Sequence, residues 1–429
     1  MKFNALLDIN VVAHEADEEV AVLLELEAPT AAHDAARPQA SLQVVLDRSG
    51  SMGGAPLEGA KKALIALVRR LEPTDNFGLV TFDSSAQVVV PAGLLTDKDT
   101  VIHLIEHVRS GGTTDLSAGY LRGLREIRRV ATAGGTVLVI SDGHVNAGIS
   151  DVDEFSSLTA KAYSEGIVTS TLGYGSGYDE TLLSAIARAG SGNHVFADHP
   201  DGAGAAIAGE VDGLLNKVVQ AMSLTVRFES SVELLRIYND LPAQQIGDGT
   251  VMIELGDLYG EEARKLLLKF KVPALAGLGL AKIATLELSY VELPGLVEHV
   301  VTLPINVNVV PGDEAAGRVA HPTVVSEVLF QEAQDVKRQA SEAFERGDLE
   351  SGKRLLGETK TRLTKSLEAA PDELKPDIRA ELDEVDRMDV MTDDVGAAYM
   401  SKMSRESYHR GNRKRGRGRQ DGDTSRDHW

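Results

Sequence analysis

Between residue 41 and about residue 220, short runs of apolar residues alternate with longer segments that have helical spacing. The short runs are rich in Val and Ile and are bounded by Gly, Asp or Asn; they are SLQVVLD, FGLVTFD, GTVLVIS, GIVTSTLGY and NHVFA. In one longer segment, Leu64, Leu67, Val68 and Leu71 share a helical face. This alternation predicts an α/β fold with a doubly wound, mostly parallel sheet. The hairpin at residues 77–90 predicts one antiparallel strand at its edge.

After residue 215 the period of the pattern changes to two, which is typical of strands with one buried face. Six such segments, from SLTVRFES to HVVTLPINVNVV, predict an antiparallel β-sandwich. The first 38 residues contain two further runs of this kind, FNALLDINVVA and VAVLLELEA. Because the α/β region offers these strands no partner, we expect them to join the sandwich. The α/β domain is then inserted into a split antiparallel β-sandwich.

Helical spacing returns at Thr323 and predicts a C-terminal α-helical extension. We expect a helical hairpin that turns at Gly347 and Asp348, and a third helix after Pro371. The end of the chain is rich in Gly and Arg and predicts a basic, disordered tail. The predicted domains are the N-terminal sandwich strands at 1–38, the α/β domain at 39–214, the β-sandwich at 215–312, the helical hairpin or bundle at 323–392 and the tail at 401–429.

Oxygen-bearing side chains follow two of the predicted strands and occupy one loop. The segment VVLDRSGSM places Asp47 at the end of a buried strand and adds Ser49 and Ser51; SGGTTD adds Thr113, and VLVISDG adds Asp142. The carboxyl ends of parallel strands are where ligands gather in doubly wound sheets. Hard divalent cations prefer oxygen ligands of this kind. The five residues therefore predict a site for Mg²⁺, with Mn²⁺ and Ca²⁺ as alternatives.

The same segments resemble a known family. D-R-S-G-S at 47–51, G-G-T at 111–113 and S-D-G at 141–143 are similar to the metal-ion-dependent adhesion site of von Willebrand factor type A domains. The phrases TDNFGLVTF and GGTVLVISDGHVNAG are also typical of that family, and the resemblance covers about residues 40–200.

The resemblance implies a role for each of the five residues. Ser49 and Ser51 would bind Mg²⁺ through their hydroxyls, and Thr113 would bind it directly or through water. Asp47 and Asp142 would hold coordinated waters. The resemblance also implies that a Glu or Asp carboxylate of a partner protein completes the shell. Intracellular relatives of this kind often work with ATPase-containing complexes.

Composition and charge narrow the class of function. The net charge is −21, which argues against nucleic-acid or membrane binding by the body of the chain. There is no cysteine, so disulfides and cysteine nucleophiles are excluded, and none of the eleven histidines lies in an H-E-x-x-H motif. The N-terminus lacks the apolar region of a signal peptide, and no window approaches the ~20 apolar residues of a membrane span. We expect a cytoplasmic protein.

We expect this protein to be a Mg²⁺-dependent protein–protein interaction module of an intracellular complex, and not an enzyme. Two alternatives stay open. One is a metal-assisted hydrolase, for which His144 or Asp83 is the candidate general base. The other is an RNA-associated scaffold that uses the Gly/Arg-rich tail. Asp83, Ser84, Asp115, His144 and Asn146 flank the predicted site, where they either line the ligand surface or close turns.

Overall fold

The computed structural model describes residues 1–30, 39–132, 134–142, 145–174, 178–197, 216–392 and 395–412. The chain divides into two compact units. One is continuous and comprises residues 34–217, and the other combines residues 1–33 with residues 218–429. The prediction that an α/β domain is inserted into a split second domain is therefore confirmed. The predicted boundaries beside residues 38 and 214 lie outside the described residues.

Three strands precede the inserted unit: β1 (Lys2–Leu7), β2 (Val11–Ala13) and β3 (Glu18–Glu27). Within the inserted unit, strands alternate with helices: β4 (Ser41–Asp47), a 3₁₀ turn (Gly50–Met52), α1 (Ala55–Arg70), β5 (Asn76–Phe82), β6 (Ala86–Leu94), α2 (Lys98–Glu106), α3 (Leu116–Ile127), β7 (Gly135–Ser141), α4 (Val152–Ser164), β8 (Ile167–Tyr174), α5 (Glu180–Ala189) and β9 (Ser191–Ala197).

The sheet of the inserted unit has the order β6-β5-β4-β7-β8-β9. Its paired strands are parallel except β5 and β6, which form the expected antiparallel hairpin at the edge. Every residue of the central strands β4 and β5 is buried. Burial on both faces explains why these strands appear in the sequence as unbroken apolar runs. The doubly wound, mostly parallel sheet is confirmed.

The second unit is a sandwich of a four-stranded and a six-stranded sheet. Its remaining strands are β10 (Lys217–Phe228), β11 (Glu233–Ile237), β12 (Ala243–Gly247), β13 (Thr250–Tyr259), β14 (Ala263–Val272), β15 (Gly279–Glu292) and β16 (Val297–Val310). The strand orders are β1-β3-β14-β11 and β12-β13-β10-β15-β16-β2. Strand β3 pairs along its whole length with β14, so the expected partnership of the N-terminal strands is confirmed. Strand β12 was not predicted, because all five of its residues are exposed.

After the sandwich, the part of the chain that the structure describes contains the helices α6 (Gly312–Ala315), α7 (Pro322–Glu345), α8 (Leu349–Ala369), α9 (Lys375–Met391) and α10 (Ala397–Asn412). The turn between α7 and α8 lies where the sequence predicts it. Gly347 has a φ of +78°, and the side chain of Asp348 accepts a hydrogen bond from the Ser351 N–H at the start of α8. In the described ranges, no helix is long and apolar enough to cross a membrane.

The predicted tail at 401–429 needs a correction, because α10 continues through Asn412. The buried side chains of this helix include Met400, Ser404, Ser407 and Tyr408. Two of these four are serines, so the apolar periodicity that signals a packed helix is absent from the sequence. The Gly/Arg-rich remainder, residues 413–429, lies outside the described residues.

Candidate metal centre

The candidate centre lies at the carboxyl ends of two neighbouring parallel strands, β4 and β7. Asp47 is the last residue of β4, and Asp142 directly follows the last residue of β7. Because the two strands pair in parallel, their ends bring both carboxylates to one edge of the sheet. Ser49 follows β4, and Ser51 lies in the 3₁₀ turn after it.

Hydrogen bonds join four of the five predicted residues into one network. The backbone N–H of Ser49 donates to Asp47 Oδ1 at 2.8 Å. The Ser51 hydroxyl donates to Asp142 Oδ1 at 2.9 Å, and the Ser49 and Ser51 hydroxyl oxygens are 3.1 Å apart. Because the Ser51 hydroxyl proton is donated to Asp142, the Ser49 hydroxyl is the donor in the contact between the two serines. Each hydroxyl oxygen keeps lone-pair capacity for a cation.

The two carboxylates are buried, whereas part of the hydroxyl set is exposed. Asp47 is 0% exposed and Asp142 is 8% exposed, while Ser51 and Thr113 are exposed to solvent. Burial raises the pKa of Asp47, although hydrogen bonds from Ser141 and Ser49 oppose that effect. Burial also raises the pKa of Asp142 to about 6, and the neighbouring charge of Asp47 adds to the increase. The centre thus has two buried carboxylates and an exposed rim, formed by Ser51 and Thr113.

Thr113 lies in the loop beside this network, but its hydroxyl has a different partner. The Thr113 hydroxyl and backbone N–H both donate to Ser84 Oγ, at 3.0 and 3.1 Å. The loop is tied to the other side of the centre by the Gly50 N–H, which donates to the Gly112 carbonyl at 3.2 Å. The structure therefore places the loop of Thr113 against the Ser49–Ser51 loop, with Ser84 holding the threonine.

The flanking residues mostly have structural partners. Asp83 forms an ion pair with Arg48 at 2.8 Å. Asp115 caps α3 by accepting from the Ala118 N–H at 2.9 Å, and Asn146 Oδ1 accepts from the Thr114 N–H at 2.9 Å. His144 lies outside the described residues.

Sequence reasoning missed Ser141, and it placed Ser84 beside the site without identifying its contact with Thr113. The Ser141 hydroxyl donates to Asp47 Oδ2 at 2.6 Å and so fixes this carboxylate from the neighbouring strand. A signal was available, because each serine lies directly beside an aspartate at a strand end. Which partner these serines choose depends on strand order, and strand order cannot be read from adjacency in the chain.

The donor set suits a hard divalent cation. It consists of two carboxylates and three hydroxyls, with neither nitrogen nor sulfur among them. Within the described ranges, no three His, Asp or Glu side chains are grouped to hold a metal. The buried charges of Asp47 and Asp142 lie close enough for one to raise the pKa of the other, and a bound cation would relieve this repulsion.

Residues 42–203 match the family model of the von Willebrand factor type A domain. An uncharacterized protein of Synechocystis sp. is 30% identical over 169 residues, which are 39% of this chain and 40% of that protein. The E3 ubiquitin-protein ligase WAV3 of Arabidopsis thaliana is 25% identical over 254 residues, which are 56% of this chain and 32% of that protein. The chain thus spans less than half of the length of these relatives.

A solved structure, von Willebrand factor type A from Catenulispora acidiphila, is similar to this chain with a TM-score of 0.75 at 14% sequence identity. The likeness covers 96% of this chain and 97% of that one. At this identity the likeness establishes the fold, and its coverage extends beyond the family match to the sandwich and the helices.

Proposed function

We propose that the von Willebrand factor type A domain of this chain binds a divalent cation, Mg²⁺ in the first place, and uses it to hold another protein. Ser49, Ser51 and Thr113 would supply hydroxyl oxygens, while Asp47 and Asp142 would supply negative charge and orient bound water. The observation that carries the proposal is the continuous network from Asp47 through the two serines to Asp142.

The partner follows from the chemistry of the ligands. A cation held largely by neutral hydroxyls keeps much of its attraction for anionic oxygen. The exposed rim of Ser51 and Thr113 gives an incoming group access to the ion. We therefore propose that a Glu or Asp carboxylate of the partner binds there. The net charge of −21 makes a nucleic acid or an anionic membrane a poor partner for the body of the chain. We propose an ATPase-containing complex as the assembly in which this interaction takes place.

Binding fits the site better than catalysis does. A hydrolase needs a general base beside the ion. Asp83, one of the two candidates, is held in an ion pair by Arg48. The Arabidopsis relative is named as a ligase, but this chain covers 32% of it. We therefore assign no reaction to the centre.

Calorimetric titration with Mg²⁺ tests the metal assignment. Asp47→Ala and Ser49→Ala should each lower the affinity for Mg²⁺ by at least roughly tenfold, because the loss of even an outer partner of a metal ligand costs about 10–100-fold. Asp153→Ala removes an exposed carboxylate from the first turn of α4 and should leave the affinity unchanged. Equal Mg²⁺ affinity in the wild type and both site variants would refute the assignment.

A pull-down tests the partner assignment separately. The wild-type chain, incubated with cell extract in Mg²⁺, should retain a protein that is lost with EDTA and with Asp47→Ala. Asp153→Ala should retain the same protein. A partner that stays bound under all these conditions would contradict a metal-mediated contact while leaving the metal site itself intact.

A further inference from the structure

Helix α2 carries two exposed histidines one turn apart, at the ends of the sequence H-L-I-E-H. His103 lies in the last turn of the helix and His107 is its C-cap residue. Their ring centroids are 4.1 Å apart and the ring planes are inclined by 52°. Residues i and i+4 are neighbours on a helix surface. The two imidazoles are therefore near enough to each other to be considered as ligands of one ion.

A hydrogen bond fixes the chemical form of His107. Its Nδ1 lies 2.7 Å from the backbone carbonyl oxygen of His103. A carbonyl oxygen only accepts hydrogen bonds, so Nδ1 carries the proton and the lone pair of the neutral ring is on Nε2. Histidine ligands of metals commonly have this arrangement, in which one ring nitrogen donates to a carbonyl while the other binds the ion.

The surroundings of the pair favour a cation. Glu106 lies between the two histidines in the sequence, and Asp99 lies one turn before His103; both are exposed. The last carbonyls of a helix also carry partial negative charge. The guanidinium of Arg109, a positive group two residues after His107, donates to the backbone carbonyls of Glu106 and Val108.

We infer that His103 and His107 form a second metal site, for a divalent ion that prefers imidazole nitrogen, with Zn²⁺ as the ion to which we commit. Among the described residues, no third His, Asp or Glu side chain completes such a group. The two imidazoles would take two of the four positions around a tetrahedral Zn²⁺ ion, and solvent would fill the other two. Mg²⁺ prefers oxygen, so the two centres of this domain should sort ions by ligand type. The inference does not depend on the proposed function, since no residue is shared.

The spacing of H-L-I-E-H also matches the H-x-x-E-H motif of a class of zinc peptidases. The proposal extends only to metal binding. Both histidines and Glu106 are exposed on a nine-residue helix, so the pair has no water-excluding pocket that would shield a reaction.

Calorimetric titration of the full chain with Zn²⁺ tests the site. The buffer contains enough Mg²⁺ to saturate the proposed magnesium centre. His103→Ala and His107→Ala should each lower the affinity of one Zn²⁺-binding event by at least roughly tenfold. Even the loss of a residue that only hydrogen-bonds to a metal ligand lowers metal affinity by about 10–100-fold. His299→Ala is the matched control, because it removes a partly exposed histidine that pairs with Glu292 on the sandwich. It should leave that event unchanged. Circular dichroism of each variant checks that the helix content is kept.

Two results would overturn the site. One is Zn²⁺ binding that is the same in the wild type, His103→Ala and His107→Ala. The other is a Zn²⁺ event that disappears in Asp47→Ala, since this would place Zn²⁺ at the oxygen centre. Mg²⁺ affinity should be equal in the wild type and both α2 variants, so a failure of the proposed magnesium site and a failure of the zinc site give different results.

Discussion

Asp142 and Asp47 differ in the hydrogen bonds that stabilise their ionised carboxylates. Asp47 accepts hydrogen bonds from the Ser141 hydroxyl and from the Ser49 N–H. Asp142 accepts one from the Ser51 hydroxyl and also feels the charge of Asp47, and its pKa is raised to about 6. Of the two, Asp142 should therefore be the carboxylate whose proton competes with a bound metal near neutral pH.

The first prediction is that Mg²⁺ binding weakens on acidification through pH 6. Because metal ligands bind as the deprotonated form, protonation of Asp142 removes charge from the site, and the affinity should fall by about tenfold between pH 7 and pH 5. The sign follows from the raised pKa: more than half of Asp142 is protonated below pH 6, and the ordinary value of 3.8 would leave it ionised at pH 5.

Calorimetry at pH 5, 6 and 7 measures this dependence. Asp142→Asn should bind Mg²⁺ weakly at all three pH values, because the amide is uncharged and does not titrate in this range. Wild-type affinity that stays constant down to pH 5 would contradict the assignment of Asp142 to the metal site.

The second prediction concerns Ser84, whose oxygen accepts both hydrogen bonds from Thr113. A second residue that orients a metal ligand is commonly worth about 10–100-fold in affinity. Ser84→Ala should therefore weaken Mg²⁺ binding by roughly tenfold in the wild type, and should have no further effect in Thr113→Ala, where nothing is left to orient. Ser85→Ala removes the adjacent hydroxyl and serves as the control. Equal effects of Ser84→Ala in both backgrounds would show that it acts elsewhere.

At the scale of the elements, the loop between α2 and α3 requires a left-handed backbone conformation at Gly112. Gly112 has a φ of +78°, and a Cβ atom there would lie 2.9 Å from both Asp83 Cβ and Ser84 Oγ. Gly111, its neighbour, has open space around its Cβ position. The close approach brings the loop against the β5–β6 turn, which is what lets Ser84 reach Thr113.

The third prediction uses this pair of glycines. Gly112→Ala should destabilise the protein by about 1–2 kcal/mol, since a left-handed conformation costs an L-residue about that much, and the contact with Asp83 and Ser84 adds to the cost. It should also weaken Mg²⁺ binding. Urea unfolding and calorimetry measure the two effects. Gly111→Ala should be close to the wild type in both; if the two variants behave alike, the loop does not need this conformation.

How well each element is predictable depends on where its stabilising contacts lie. The buried strands β4 and β7 are evident from the sequence because Val, Leu and Ile fill both faces, and their ends mark Asp47 and Asp142. The role of Ser84 is not evident, because it rests on a contact with Thr113, 29 residues away. The part of helix α10 after residue 400 is not evident either, because serines such as Ser404 and Ser407 form part of its buried face, and serine is more typical of exposed positions.

At the scale of the whole molecule, the outer unit, which comprises residues 1–33 and 218–429, depends on a strand that precedes the inserted domain. Strand β3 lies inside the four-stranded sheet, between β1 and β14. Val20, Val22, Leu24 and Leu26 of this strand are buried in the sandwich core. Buried Val and Leu side chains contribute about 1.5–3 kcal/mol each, so their sum is comparable to the 5–15 kcal/mol that holds a typical domain together. The sandwich core therefore depends on residues that precede the inserted domain.

Within the sandwich, the strand before the interruption and the strand after it are tied to the same segment of the chain. On the way in, the Ala28 N–H donates to the Glu262 carbonyl at 2.9 Å. On the way out, the Ala221 N–H donates to Asp257 Oδ1 at 3.1 Å. Asp257 and Glu262 lie at the end of β13 and in the turn that leads to β14. The two positions at which the sandwich is interrupted are therefore close together, which is the arrangement that tolerates domain insertion.

The final prediction compares two deletions. Replacing residues 30–216 with a short Gly/Ser linker should leave an outer unit that unfolds cooperatively in urea, because β3 and β10 keep their partners and their ends are already close. Deleting residues 1–28 removes far fewer residues but should abolish cooperative unfolding of the sandwich, since β14 loses the strand with which it pairs over its full length. Circular dichroism during urea titration distinguishes the two. If the sandwich still unfolds cooperatively after the loss of residues 1–28, the second half of the chain folds without β3. The strands that precede the inserted domain would then not be needed for the stability of the sandwich.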